Sequence, residues 1–555
     1  MEKLKPKLFS VMKTYSKQQF IKDVIAGIIV AIIALPLSIA LALASGVTPE
    51  RGIYTAIIAG FVVSFLGGSR VQIAGPTAAF ATIVAGIVAR NGMEGLAVAT
   101  IMAGILLIIM GLLKFGRLLR FIPYTITTGF TFGIAVTILI GQMKDFFGLT
   151  FQNKPIETIE KVEAFFENIT TINYQALIIG VISLAILIIW PKINNKIPGS
   201  LIAVIVAAAL VKLFKIDVNT IGSLYDISSK PPLPQIPQVN LHTIRTLMPD
   251  AFTIAVLAGI ESLLSCVVAD GMIGSKHRSN MELIAQGAGN IFSSLFGGIP
   301  ATGAIARTAA NVKNGGRTPI AGMVHAITLF LILVVLMPYA ALIPMPTIAA
   351  ILFMVAYNMS EWREFIELVK RSPKSDILVL VATFVLTVVF DLVIAIEVGI
   401  VMAAVLFMKR MADVADIQSW KYIEDDVSDD DMNDLENIRL RKVPKHTLVY
   451  EINGPMFFGA ADKFMNISLD SHVKVVILRM RSVPAMDVNA LHALNNVLKV
   501  CKKRHITVLL SHVQDQPLRM MQKAGFDKQV GIENICDNID VALERASSLQ
   551  KSLAS

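Results

Sequence analysis

Between Val24 and Met411 the chain returns again and again to apolar runs, most of them of a length that crosses a lipid bilayer. No water inside a bilayer can satisfy exposed amides and carbonyls, so such runs must fold as helices. The expected spans are 23–44, 51–67, 76–89, 95–113, 121–143, 174–190, 198–214, 249–268, 281–297, 301–312, 318–337, 344–359, 374–390 and 391–411. Two of these, the third and the tenth, are short. From Thr77 to Ala89 there are 13 residues before Arg90. That is a helix of about 20 Å against a hydrocarbon core of about 30 Å. Composition agrees with the class: 54% of the 555 residues are hydrophobic and only 16% charged, fewer charges than a soluble chain of this size carries.

Charge asymmetry orients the spans. With a cytosolic N-terminus, every even-numbered span should leave into a basic loop. The exits carry Arg70; Lys114, Arg117 and Arg120; Lys192 and Lys196; Lys276 and Arg278; Lys313 and Arg317; Lys370, Arg371 and Lys374; and Lys409 and Arg410. The opposite loops differ: "NKPIETIEKVEAFFEN" is net acidic and "PYAALIPMP" uncharged. Both termini are therefore expected in the cytosol of a multi-pass protein of the inner (plasma) membrane. Met1–Lys22 is basic and amphipathic, with no small-residue cleavage site after the first apolar run, and reads as a cytosolic segment lying along the membrane surface. The net charge of +9 sits mostly in short loops, so it speaks of topology and not of nucleic acid. Cys266, Cys501 and Cys536 have neither metal nor disulfide spacing.

The two halves echo one another. Asp23 and Asp250 open spans 227 residues apart, and Pro76 and Pro300 stand 224 apart at the two short segments. Seven spans per half invert the second half relative to the first, a transporter pattern. The transmembrane domain is expected over 23–411, with repeats 23–215 and 249–411. After it, "EDDVSDDDMNDLE" puts eight acidic residues into thirteen, within a linker assigned to 412–440. Strand and helix patterns then alternate over 441–555, predicting a small cytosolic α/β domain with parallel pairing.

A helix that begins inside a membrane leaves its first N–H groups without partners, and its dipole adds about half a positive charge there. Such an end must face protein or a watery cavity. Gly75, Pro76 and Thr77 open one such end; Pro300, Thr302 and Gly303 open the other. In an inverted repeat the two starts can face each other, leaving an anion site built largely of backbone. Ala78, Ala79, Gly303 and Ala304 are small enough to let a ligand reach the amides. Arg307 adds a buried cation. Glu261, near the middle of the eighth span, is costly unless it is protonated, paired with Arg307, or binding a cation with Ser262 and Ser265. His325 reads as a satisfied packing histidine, Asp391 and Glu397 as structural, and Gln72 and Ser38 as residues able to line the cavity. No nucleophile, metal or nucleotide motif is visible, so an enzymatic role is not expected.

These stretches resemble the SulP (sulfate permease) family of anion transporters, whose animal relatives include prestin and pendrin. The likeness rests on "DVIAGIIVAIIALPLSIALALASGVTPERGIY", "GSRVQIAGPTAAF" and "GGIPATGAIARTAANVKNGGRTPIAG", and on "GPMFFGAADKF" and "VPAMDVNALHAL", which resemble a STAS domain. The resemblance implies 14 transmembrane segments in a 7+7 inverted repeat, with a core domain moving against a gate domain. It places substrate between the third and tenth helices, at Thr77, Ala78, Ala79 and Phe80 and at Thr302, Gly303, Ala304, Ile305 and Arg307. Glu261 matches the acidic position used for cation coupling, with Ser265 beside it. Where that position is Asp with nearby Thr, the family implies sodium; Glu with Ser points to protons. The family also implies a homodimer, no resident cofactor, and a STAS domain open to cytosolic protein partners. Two departures stand out. Pro36-Leu37 replaces the Pro-Gln of many members, and Val488 follows Asp487 where a phosphorylatable Ser stands in related switches. The expected function is secondary transport of sulfate, bicarbonate or a dicarboxylate by an elevator-like, H+-coupled symport. Na+-coupled bicarbonate uptake and an uncoupled channel or exchanger are the alternatives.

Overall fold

The computed structural model describes residues 4–116, 123–151, 153, 155–194, 197–390, 392–414, 416–420, 443–457 and 472–554. The acidic run Glu424–Glu436, Asp391 and most of "GPMFFGAADKF" lie outside them. The chain forms two compact units, divided after Val401.

The described residues of the first unit are mostly helical, as the backbone argument requires. Its long helices are α1 (Lys17–Ala44), α2 (Pro49–Leu66), α3 (Ala81–Leu112), α4 (Tyr124–Phe147), α5 (Tyr174–Ile193), α6 (Gly199–Phe214), α7 (Leu241–Ile273) and α8 (Ser279–Leu295), followed by α9 (Ile305–Lys313), α10 (Pro319–Ala340), α11 (Met345–Ser360) and α12 (Lys374–Val389); α13 (Leu392–Val414) begins in this unit and continues past Val401. Two-residue strands β1 (Ala74–Gly75) and β2 (Thr302–Gly303) precede α3 and α9. Each expected span lies on a helix, with α3 carrying the third and fourth. Gly92 divides α3: its φ of 66° is left-handed, and there the short half-helix ends. Seven helices among the described residues are long and apolar enough to cross a membrane on their own.

Packing sorts the helices into two bundles. One joins α1, α2 and α3 with α7, α8, α9 and α10; the other joins α4, α5 and α6 with α11 and α12. Each repeat contributes to both. Small residues bring the backbones together: a Cβ on Gly104 of α3 would meet the Gly287 carbonyl of α8 at 2.6 Å. Acidic side chains then tie the repeats across the first bundle. Asp23 of α1 accepts from Arg317 N (2.8 Å) and Thr318 Oγ1 at the start of α10, while Asp250 of α7 pairs with Arg90 at 3.2 Å near the end of the half-helix. Glu282 of α8, fully buried, accepts from Gly68 N (2.8 Å), Ser69 N (3.0 Å) and Gln286 Nε2 (3.0 Å). It holds the loop that leads into β1. Replacing it with alanine strands three buried donors at about 1–3 kcal/mol each. Glu282→Ala is therefore expected to unfold at a clearly lower temperature in detergent, and Glu282→Gln, which keeps a carbonyl acceptor, to lose much less.

Within the segment 1–22, α1 already begins at Lys17, capped by Ser16. Before it, Lys7 N donates to the Gly67 carbonyl, and Leu8 and Val11 are buried. One expected boundary needs correction: 412–440 is not linker from its start. Asp416–Trp420 forms β3, which a five-residue run within a polar stretch does not announce.

The second unit is a five-stranded sheet in the order β3-β4-β5-β6-β7, with β4 (Thr447–Asn453), β5 (Val475–Ser482), β6 (Thr507–Ser511) and β7 (Ile535–Cys536). β3 is antiparallel to β4 and the remaining pairs are parallel. Helices α14 (Val488–Lys503) and α15 (Asp515–Lys523) bury Leu494, Leu498 and Met521 on one face. A short helix, α16 (Phe526–Val530), and β7 escape the sequence pattern. The last helix, α17 (Ile539–Ala554), buries Ala542, Leu543 and Ala546 on the other face. Asp487 accepts from Ala490 N at 2.8 Å and caps α14, a structural use of the residue before Val488.

Candidate functional site

Pro76 biases Gly75 towards extended backbone, and Pro300 does the same upstream of β2. The outcome is that β1 and β2 pair antiparallel, Ala74 with Gly303 and Gly75 with Thr302. The chain leaves β1 through a 3-10 turn (Ala78–Phe80) into α3, and leaves β2 into α9. The two half-helices thus begin side by side. No side chain caps either start. First-turn amides have no intrahelical acceptor, and among the described residues Ala78, Ala79, Ile305 and Ala306 donate to no carbonyl of another element.

A cavity of about 1220 Å³ opens against these starts, between the two bundles of the first unit. Thr77, Ala78, Ala79, Gly303, Ala304, Ile305, Arg307 and Glu261 all line it. Its walls are mostly apolar, with Leu37 and Leu41 from α1 and Ile351 and Phe353 from α11. It continues to Tyr124, Pro191, Gly199 and Glu361, where α4 begins, α5 nears its end, α6 begins and α11 has ended.

Polar groups around the pairing are already committed. Gly303 N donates to Ser262 Oγ at 3.0 Å, Ser262 Oγ lies 2.8 Å from Thr302 Oγ1, and Thr302 Oγ1 donates to the Ala258 carbonyl at 3.2 Å. This relay locks β2 to α7. Ser265 Oγ donates to Thr308 Oγ1 at 3.3 Å, and Ile73 N donates to the same oxygen at 3.0 Å. Glu261 differs: Thr77 Oγ1 donates to its Oε2 at 3.1 Å, which joins the carboxyl to the mouth of the half-helix.

Several expected roles are not what the geometry brings together. Phe80, Thr302 and Ser265 are buried behind the cavity surface and do not line it. Glu261 and Arg307 form no ion pair among the described residues: Glu261 faces Thr77, while Arg307 Nη1 lies against Gly75. His325 is not a satisfied histidine, because neither ring nitrogen has a hydrogen-bond partner among the described residues. Gln72 points inward, its Oε1 accepting from Cys266 Sγ and its Nε2 facing Gly303. Ser38 is buried away from the cavity, and Glu397 is exposed. Sequence reasoning missed the clamps Thr55, Asn290 and Asn311. They hold Ile299 N, both backbone groups of Ala301, and the Val71 carbonyl. A lone Asn or Thr inside an apolar helix was their only signal.

Comparison with known proteins adds an independent line. A model described as the sulfate permease family matches residues 20–383, and a STAS domain model matches 437–542. The chain is 40% identical over 541 residues to the putative sulfate transporter YvdB of Bacillus subtilis, covering 95% of this chain and 98% of that protein. It is 31% identical over 550 residues to the bicarbonate transporter BicA of Picosynechococcus sp., covering 94% of each. The solved structure of SLC26A9 superposes with a TM-score of 0.87 over 98% of this chain and 92% of that one; at 19% identity this is a likeness of fold. The transmembrane domain of a cyanobacterial BicA superposes with a TM-score of 0.62, covering 69% of this chain and 98% of that one, at 29% identity.

Proposed function

The chain belongs to the sulfate permease family, and from that premise we propose that it carries a small anion across the membrane by H+-coupled symport. It is an anion transporter and not an enzyme. The anion sits at the paired half-helix starts, held by the amides of Ala78–Ala79 and Ile305–Ala306 and by the field of Arg307. The observation that carries this reading is the β1–β2 pairing, which sets both positive helix ends and the Glu261–Thr77 bond against one cavity. The names of the relatives favour sulfate or bicarbonate, and the backbone site also suits a small dicarboxylate.

What surrounds Glu261 supports the proton reading. A sodium ion needs several oxygens at once, whereas the Ser262, Thr302 and Ser265 hydroxyls bond to one another, to the Ala258 carbonyl and to Thr308, and among the described residues none of the three bonds to the Glu261 carboxyl. A proton needs only the carboxyl. Basic loops after even spans favour a cytosolic side for both termini, at the inner membrane. The cavity then opens inward, since Pro191, Gly199 and Glu361 lie at cytosolic helix ends. Movement of the first bundle against the second, elevator-like, would carry the site across. Homodimerisation and a cytosolic partner for the STAS domain belong to the same reading.

Purified protein in proteoliposomes tests it. Labelled sulfate, bicarbonate and fumarate are each offered with a pH gradient or a sodium gradient imposed separately. Accumulation of at least one anion under the pH gradient alone is expected. Accumulation driven only by sodium overturns proton coupling, and non-saturating currents without any gradient favour a channel.

A further inference from the structure

Arg307 lines the cavity from α9, yet its guanidinium reaches behind β1. A Cβ built on Gly75 would meet Arg307 Nη1 at 2.6 Å and Ala56 of α2 at 3.5 Å. One helical turn further along α2, a Cβ on Gly60 would meet the Ala74 carbonyl at 3.2 Å and His325 Nδ1 of α10 at 3.7 Å. Arg307 and His325 thus enter the same seam between α2 and β1, from α9 and α10. Arg307 is 3% exposed and His325 0%. Among the described residues no atom accepts from Arg307 Nη1, and neither ring nitrogen of His325 has a partner.

A guanidinium has only donors; a neutral imidazole has one lone pair to offer. A buried donor without an acceptor costs more than its bond would gain. A guanidinium that holds an anion for part of the cycle therefore needs a second acceptor for the rest. We propose that His325 is a positioning residue for Arg307, its ring nitrogen accepting from the guanidinium when the anion has left and so keeping that charge aimed at the paired helix starts. The inference rests on the transport reading of this site. It goes beyond it by assigning work to a side chain that touches no substrate.

The test uses full-length protein in proteoliposomes with labelled sulfate and bicarbonate as probes. His325→Val and His325→Thr remove the same volume, but only threonine keeps an oxygen acceptor. His325→Val is expected to raise KM about tenfold, the worth of one hydrogen bond to a charged group, with Vmax within about twofold. His325→Thr is expected to return KM to within about threefold of the parent. In an Arg307→Gln background, His325→Val should add no further loss, because its effect runs through the guanidinium. Equal effects of Val and Thr, or a loss that adds to that of Arg307→Gln, would show a packing role and overturn the proposal. A parent protein that moves neither anion overturns the transport reading and takes this proposal with it.

Discussion

Glu261→Gln is expected to abolish accumulation of the anion under an inward pH gradient while leaving the fold intact. Glutamine keeps the volume and a carbonyl oxygen, so Thr77 Oγ1 retains the acceptor it now finds at 3.1 Å. What it loses is the capacity to take up and release a proton. One pH unit is worth about 1.4 kcal/mol per proton, or about tenfold accumulation. The parent protein should approach that ratio for a one-to-one symport, and the variant should stay near unity at every imposed gradient. Exchange of labelled for unlabelled anion at equal pH should persist in the variant, because the amides and Arg307 remain. Undiminished accumulation in Glu261→Gln would remove Glu261 from the coupling step.

The second large effect is expected from Gly303→Ala. A Cβ there would stand 1.9 Å from Gln72 Nε2, 2.6 Å from its Cδ and 3.2 Å from Ser262 Cα. Gln72 has little room to retreat, since it is buried and its Oε1 accepts from Cys266. The methyl group must therefore push β2 away from α7, through the Gly303–Ser262 bond, or away from β1. Overpacking of this kind costs about 1–3 kcal/mol of stability. Its effect on transport should be larger, about tenfold or more, because both helix starts are fixed by this two-residue pairing and a shift of about 1 Å misplaces every donor at once. Gly86→Ala is the control: it lies in the other half-helix, at the start of α3, and a Cβ there meets nothing within 4 Å. It should transport normally. A fully active Gly303→Ala would mean that the anion does not depend on the geometry of β2.

Much of this was legible from the residues. Apolar runs cannot fold otherwise in lipid, so the helices followed from hydropathy, and the Gly75-Pro76 and Pro300 breaks marked where two of them start. The juxtaposition of those starts followed from the odd number of spans per half. Side-chain partnerships were not legible. Glu261 and Arg307 are the two charges expected at the site, and pairing them is the economical guess. Yet Arg307 turns behind β1 where Gly75 leaves room for it, and Glu261 finds Thr77 instead. Which way a side chain leaves its helix depends on glycines in other elements, and no local pattern records that. Ser265 shows the same limit: Thr308, 43 residues away, takes its hydroxyl. β3 was missed because its antiparallel partner β4 comes after the acidic run, so nothing near Asp416 signals a strand.

The ties between the repeats also set an order of events during synthesis. Asp23 waits for Arg317 and Thr318, Thr55 for Ile299, and Gly68 for Glu282. β1 itself finds its partner only when Thr302 and Gly303 have emerged. A nascent chain that has inserted only its first seven spans holds one finished half-helix and a strand with nothing to pair with. The paired helix starts and the cavity against them are thus among the last features to form within the membrane part.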